Sequence, residues 1–123
     1  MYEIRIKSNF SAAHNLRNYR GKCEKLHGHN WVCEAAFSYK ALDKNGLAVD
    51  FRHAKKMLKC VLEKLDHSYL NDLGSFKRSN PTSENIAKFI YDSLKLKNKH
   101  LKSVLVWENE NSCALFAGEG EDN

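Results

Sequence analysis

The sequence predicts an α+β domain of element order ββααββ, built as a four-stranded, mainly antiparallel sheet with two helices on one face. Three patterns predict it: strict two-residue alternation at the start, two middle stretches with apolar residues three and four apart, and a hairpin-like pair of apolar runs at the end. The 123 residues, 42% hydrophobic and 28% charged, suffice for one compact core and are too few for two. A single domain is expected over residues 1–118, with a short acidic tail over 119–123.

From Tyr2 to Lys7, Tyr2, Ile4 and Ile6 share one side and Glu3, Arg5 and Lys7 the other, which marks a half-buried strand. If no bulge intervenes, Phe10, Ala12 and His14 continue the apolar side. Asn15 to Lys25 is polar, contains Gly21 and reads as a loop. A second strand runs from about His27 to Lys40; its odd positions form one face on which His27 and His29 lead an apolar stripe of Trp31, Cys33, Ala35, Phe37 and Tyr39.

Asp43-Lys44-Asn45-Gly46 is a turn signal, and after the short apolar run Leu47 to Val49, Asp50 caps a predicted helix bearing Phe51, Ala54, Leu58, Val61 and Leu65. Asp66 to Asn80 reads as a loop. Asn80-Pro81-Thr82-Ser83 then starts a second helix with Ile86, Ala87, Phe89, Ile90 and Leu94 on its apolar side. Two strands follow, Leu101 to Trp107 and Ser112 to Ala117, joined by Asn109-Glu110-Asn111. Trp31, Trp107 and other aromatics offer more apolar surface than one helical layer covers, so a homo-oligomer is expected to cover the second sheet face.

The net charge of +5 invites a nucleic-acid reading. Many lysines, however, fall within 55–64 and 88–102, on the outer faces of the predicted helices, and the aromatics do not interleave with them as stacking platforms would require. No nucleic-acid partner is expected; a basic surface also attracts a phosphorylated small molecule. No run reaches the roughly 18 apolar residues of a membrane helix, and the chain opens on a strand pattern instead of a basic-then-apolar leader. A cytoplasmic location without membrane contact is expected, with Cys23, Cys33, Cys60 and Cys113 as free thiols, since none forms a C-x-x-C pair.

His27-Gly28-His29 points two imidazoles to the same side of an extended chain, and His14 could join them from a neighbouring strand. Three imidazoles suit zinc and leave a fourth position for water or substrate, the mark of a catalytic site. Two alternatives stand beside this: histidines satisfied by backbone groups, and a Cys-His structural site that includes Cys23. His53 and His100 lie among lysines and read as solvent-facing. Asp66-His67 closes the first helix, where a carboxylate could tune a proton-carrying imidazole or the pair could merely face the helix dipole.

Phe10-Ser11-Ala12-Ala13-His14, Cys23 to Asn30, Val49-Asp50-Phe51, Leu65 to Asn71, Asn80 to Asn85 and Glu108, taken in order along nearly the whole chain, resemble the 6-pyruvoyltetrahydropterin synthase family. The three-residue gap between Cys23 and His27 and the short length look more like its 6-carboxy-5,6,7,8-tetrahydropterin synthase (QueD) branch. The resemblance implies a tunnelling fold, whose subunits pool their sheets into a β-barrel with active sites at subunit boundaries. It implies zinc on His14, His27 and His29, Cys23 as catalytic acid/base with Asp66 and His67 as proton-transfer partners, and Glu108 as the pterin anchor. Thr82, Ser83 and Glu84 would line or support the pterin end. One departure stands out: the family follows its anchoring glutamate with threonine, whereas Asn109 stands here with Glu110 nearby.

The activity implied is a zinc-dependent carbon–carbon lyase reaction of queuosine precursor synthesis, converting 7,8-dihydroneopterin triphosphate to 6-carboxy-5,6,7,8-tetrahydropterin with release of acetaldehyde and triphosphate. Its rival within the family makes 6-pyruvoyltetrahydropterin from the same substrate. Outside the enzymes, the alternative is a zinc-stabilised nucleic-acid-binding module.

Overall fold

A computed structural model describes residues 1–118; the acidic tail expected over 119–123 lies outside the described residues. Strands β1 (Tyr2–His14) and β2 (His27–Tyr39) pair antiparallel in unbroken register from Tyr2 opposite Tyr39 to His14 opposite His27. Because no bulge interrupts β1, the alternation seen at its start persists to its end, and Ile6, Phe10, Ala12 and His14 are all buried. Trp31, Cys33, Ala35 and Phe37 of β2 complete this face. Burial pushes the Cys33 thiol up to about 12, which makes it an inert core residue.

Asp43 Oδ1 accepts the Asn45 and Leu47 N–H groups, and Gly46 supplies the left-handed φ of +83° that this turn needs. Helix α1 (Phe51–Leu62) follows, with Asp50 accepting the Arg52 N–H at its start. Ala54, Leu58 and Val61 are buried, as is Leu65 just beyond the helix. Phe51, expected on this stripe, is instead 57% exposed: it opens the helix beside Arg52 and His53, which are exposed too, and burial begins at Ala54.

Residues 66–80, expected as a loop, contain a two-residue strand β3 (Ser68–Tyr69) and two short 3-10 turns. Strand β3 runs parallel to β1 at Ala12 and Ala13, so the sheet has five strands in the order β3-β1-β2-β4-β5 rather than the four expected. Helix α2 (Ser83–Lys95) begins where Thr82 accepts the Asn85 N–H, and buries Ile86, Ala87, Ile90 and Leu94, with Phe89 packed at its margin. Strands β4 (Leu101–Asn109) and β5 (Ser112–Ala117) form the closing hairpin, with Asn109 Oδ1 accepting the Asn111 N–H in its turn.

Both helices lie on the same sheet face, α1 against β1 and α2 against β4 and β5. Trp31 lies wholly beneath them, its Nε1 donating to the Ala12 carbonyl, so it adds nothing to the open face. That face instead carries Val32, Leu105, Trp107, Cys113 and Leu115, brought into cross-strand rows by the β2–β4 and β4–β5 registers, with Leu115 57% exposed. Among the described residues only Ala12 and Ala13 pair with another strand along the outer side of β1, and β5 ends the sheet on the other side. His53 is exposed as expected, whereas His100 is half-buried and stacks on Tyr39 at 4.3 Å, which corrects the solvent-facing expectation. Among the described residues no helix is long and apolar enough to cross a membrane.

Candidate metal centre and active site

The antiparallel register that pairs His14 with His27 also sets Ala12 opposite His29. The end of β1 and the start of β2 thus deliver three imidazoles to one corner of the helix-covered face. His14 Nε2 lies 3.1 Å from His27 Nε2. Trp31 packs edge-on against His14 and His29, with ring centroids 4.9 and 5.2 Å away, and holds both rings upright. Two carbonyls fix the ring orientations: Pro81 O takes the His14 Nδ1–H at 2.8 Å and Lys25 O takes that of His27 at 2.9 Å. In both rings this leaves Nε2 as the unprotonated nitrogen available to a metal ion, the kind of outer-partner arrangement that orients metal-binding histidines.

Glu108 joins this corner. It continues the core-facing parity of Val104 and Val106 on β4, and its Oε1 lies 2.9 Å from His29 Nε2 and 3.3 Å from His14 Nε2. His29 Nε2 is buried and, despite that short approach, lies off the line of a hydrogen bond, so it is an orphaned polar atom awaiting a partner. Burial lowers the His29 pKa; Glu108 opposes the shift, and His14 and His27 add to it. One ligand atom from each of the four residues falls within 4.8 Å of all the others. Ligands about 2.0–2.2 Å from a zinc ion at tetrahedral angles stand roughly 3.3–3.6 Å apart, close to the distances found here. The His14, His27, His29 and Glu108 donor set therefore fits a divalent metal ion.

Cys23 is exposed in the 15–26 loop and, among the described residues, has no hydrogen-bonding partner. Asn15 Nδ2 donates to Glu24 O and Glu24 N–H to Leu16 O, closing the base of that loop beside the imidazoles. Asn71 and Asn80 hold its entry by reciprocal bonds with the main chain of Asn15 and Arg17. No cysteine appears in the metal cluster, so the Cys-His alternative finds no support in the geometry.

Asp66 and His67 form a separate unit. Asp66 Oδ1 accepts the Ser11 N–H at 2.8 Å, Oδ2 lies 3.0 Å from His67 Nδ1, and the His67 N–H donates to Ser11 O. The Ser11 N–H is the main cause of the lowered Asp66 pKa, with His67 adding to it. His67 adopts a left-handed φ of +57°, and its side chain is 84% exposed. It lines a shallow depression with Ser11, Ala13, His29 and Asn30, beside the β1–β3 pairing.

Thr82, Ser83 and Glu84 form the start of α2: the Thr82 hydroxyl is engaged as its cap, Ser83 is half-buried, and Glu84 is exposed in the first turn, where the helix dipole favours a carboxylate. This segment touches the site through the Pro81 carbonyl on His14. Sequence reasoning missed that contact, because a carbonyl leaves no trace in residue type. The membership of Glu108 in the cluster was also missed, although the even-numbered parity of Val104, Val106 and Glu108 carried it.

The family model described as 6-pyruvoyl tetrahydropterin synthase matches residues 3–119. A 6-carboxy-5,6,7,8-tetrahydropterin synthase of Synechocystis sp. is 37% identical over 122 residues, covering 94% of this chain and 93% of the relative. A 6-pyruvoyl tetrahydrobiopterin synthase of Dictyostelium discoideum is 34% identical over 124 residues, covering 89% and 91%. The solved structure of Caenorhabditis elegans 6-pyruvoyl tetrahydropterin synthase superposes with a TM-score of 0.84 at 26% identity, over 96% of each chain. With the imidazole corner, the five-stranded sheet and these matches in agreement, the chain belongs to the 6-pyruvoyl tetrahydropterin synthase family.

Proposed function

We propose that this chain is a cytoplasmic, zinc-dependent lyase of the 6-carboxy-5,6,7,8-tetrahydropterin synthase type, with residues 1–118 as its single catalytic domain. It would take 7,8-dihydroneopterin triphosphate and water to 6-carboxy-5,6,7,8-tetrahydropterin, acetaldehyde and triphosphate. The observation that carries the reading is the convergence of His14, His27 and His29, two of them with their outer nitrogens tied to carbonyls. When bound there, the ion would polarise the oxygens of the pterin side chain as a Lewis acid.

The chain's own groups divide the remaining work. Cys23 would remove a proton from the side-chain carbon, and His67, held by Asp66, would carry the second proton. Asp66 suits that role because the Ser11 N–H keeps it ionised and aligned toward Nδ1. Glu108 would accept the N–H groups of the pterin edge, a two-point contact suited to an acceptor-only carboxylate. Thr82, Ser83 and Glu84 would support that end of the site.

A homo-oligomer with active sites at its subunit boundaries is part of this proposal. Cys23 is exposed in the loop that leads into β2, and His67, with its side chain 84% exposed, is tied to Ser11 of β1; in the proposed assembly a second copy brings Asp66 and His67 to Cys23. The Dictyostelium relative favours a second reading, the 6-pyruvoyl product. Incubation of zinc-loaded protein with 7,8-dihydroneopterin triphosphate separates them: acetaldehyde is the expected product, triphosphate release without acetaldehyde selects the pyruvoyl reading, and absence of turnover removes both.

A further inference from the structure

We infer that Glu108 is an exchangeable fourth ligand. It closes the three-imidazole centre while the site holds no pterin, and the N–H edge of the arriving pterin draws it away. Substrate arrival thereby opens the coordination position that the chemistry uses.

Three observations lead there. The first is the contact geometry. Glu108 Oε1 approaches His29 Nε2 to 2.9 Å and His14 Nε2 to 3.3 Å, yet His29 Nε2 gains no hydrogen bond from it. A carboxylate placed to hold a neighbouring imidazole would lie along an N–H direction. This one stands where a shared ion would be the partner of both, at separations close to the roughly 3.3–3.6 Å edge of a tetrahedral zinc site.

The second is the absence of a competing partner. Among the described residues Glu108 meets no lysine or arginine, and its ion-pair contacts are the two imidazoles. Its carboxylate is thus uncommitted except toward the metal corner. The third is its freedom to leave. The side chain is about one-third exposed, and it springs from the register shift between Trp107 and Asn109 where the β4–β5 ladder loosens. Three side-chain torsions let a glutamate swing its head several ångströms with the strand fixed, and an amidine-like N–H pair offers it a two-point contact in exchange for one metal bond.

A centre with four protein ligands is closed, whereas one with three presents an open position. Exchange at Glu108 makes the same residues serve both states: the resting protein holds its ion firmly, and reactivity toward water is withheld until the pterin is seated. The trigger rests on the pterin reading proposed above; the resting ligation does not.

The test uses the metal-free full chain titrated with Co2+, read by visible absorption and by competition with a chromogenic chelator. In the wild type, a tetrahedral Co2+ spectrum is expected. Glu108→Gln, nearly isosteric, is expected to bind Co2+ more weakly by at least the tenfold to hundredfold lost with an outer partner of a ligand, with an altered band. Glu110→Gln, in the adjoining hairpin turn, keeps wild-type affinity and spectrum, and thermal unfolding of each variant checks that it is folded. Saturating 2-amino-6-methylpyrimidin-4-one supplies the pterin's N–H edge without its side chain, and calorimetry verifies its binding. It is expected to shift the wild-type spectrum toward that of Glu108→Gln and leave the variant's unchanged. Equal affinity and spectrum in wild type and Glu108→Gln overturn the ligation; a wild-type spectrum that does not move when the probe is bound overturns the exchange. Failure to turn over 7,8-dihydroneopterin triphosphate, with the Co2+ results as expected, removes the enzyme reading and leaves the ligation standing.

Discussion

His27 and Cys23 stand four residues apart, and the proposed function gives them separate tasks. His27→Ala removes one of three imidazoles and is expected to abolish both metal binding and turnover. Cys23→Ala keeps the metal and loses turnover by about 10²- to 10⁴-fold, the usual share of a proton-transfer group. Metal content by atomic absorption beside a product assay checks both, and near-wild-type rates in Cys23→Ala would take that thiol out of the reaction. Asp66 yields a pH prediction. Its folded pKa lies below the ordinary 3.8, so the stability it contributes is complete above that value and disappears as pH falls through the folded pKa. Asp66→Asn should therefore lower the urea midpoint at pH 7, and the gap should narrow as pH falls below 3.8; a gap that ignores pH contradicts the Ser11 contact as its source. At this scale the sequence showed which types of residue to expect but not all their neighbours. The H-x-H spacing announced His27 and His29, whereas Pro81 reaches His14 through a carbonyl that any residue could have supplied.

Among the elements, alternation proved the most readable signal, because β1 keeps one parity over thirteen residues and so carries Ile6 and His14 to the same face. The α1 stripe was legible in its middle and misleading at its first turn. Leu58→Ala is accordingly expected to destabilise by about 2–5 kcal/mol and Phe51→Ser by only about 0.5 kcal/mol, measured by chemical denaturation. A large effect at Phe51 would mean that another surface covers it. Thr82→Ala should cost about 1 kcal/mol through loss of the α2 cap, with Thr82→Ser close to wild type. Strand β3 was illegible for a physical reason: two residues cannot show a period, and their pairing with Ala12 and Ala13 is made by main chain, guided by Asp66 on Ser11. Arg17, donating to the Asn71 and Phe76 carbonyls, likewise ties the 70–76 turns to the 15–17 segment through contacts that no local pattern encodes.

For the molecule as a whole, the open sheet face is where the proposed second copy would sit. Leu115, half-buried Leu105 and Trp107 supply an apolar surface there that the chain's own helices do not cover. Leu115→Lys is expected to shift the particle toward the monomer in light scattering, to retain the metal, and to lose turnover because Asp66 and His67 no longer reach a neighbour's Cys23. Full activity in a monomeric variant would refute the shared site. A cover for this face was expected from aromatic content, although Trp31 turned out to point the other way, since only pairing register decides which side of a sheet an aromatic takes. The outer side of β1, unpaired from Tyr2 to Phe10 among the described residues, has a wider consequence. Water serves the hydrogen-bonding groups there in an isolated copy, and a second copy that paired with them would make endurance a collective property. Diluting the protein should lower its melting temperature and quicken amide exchange along that border, while a crowded solution keeps it locked.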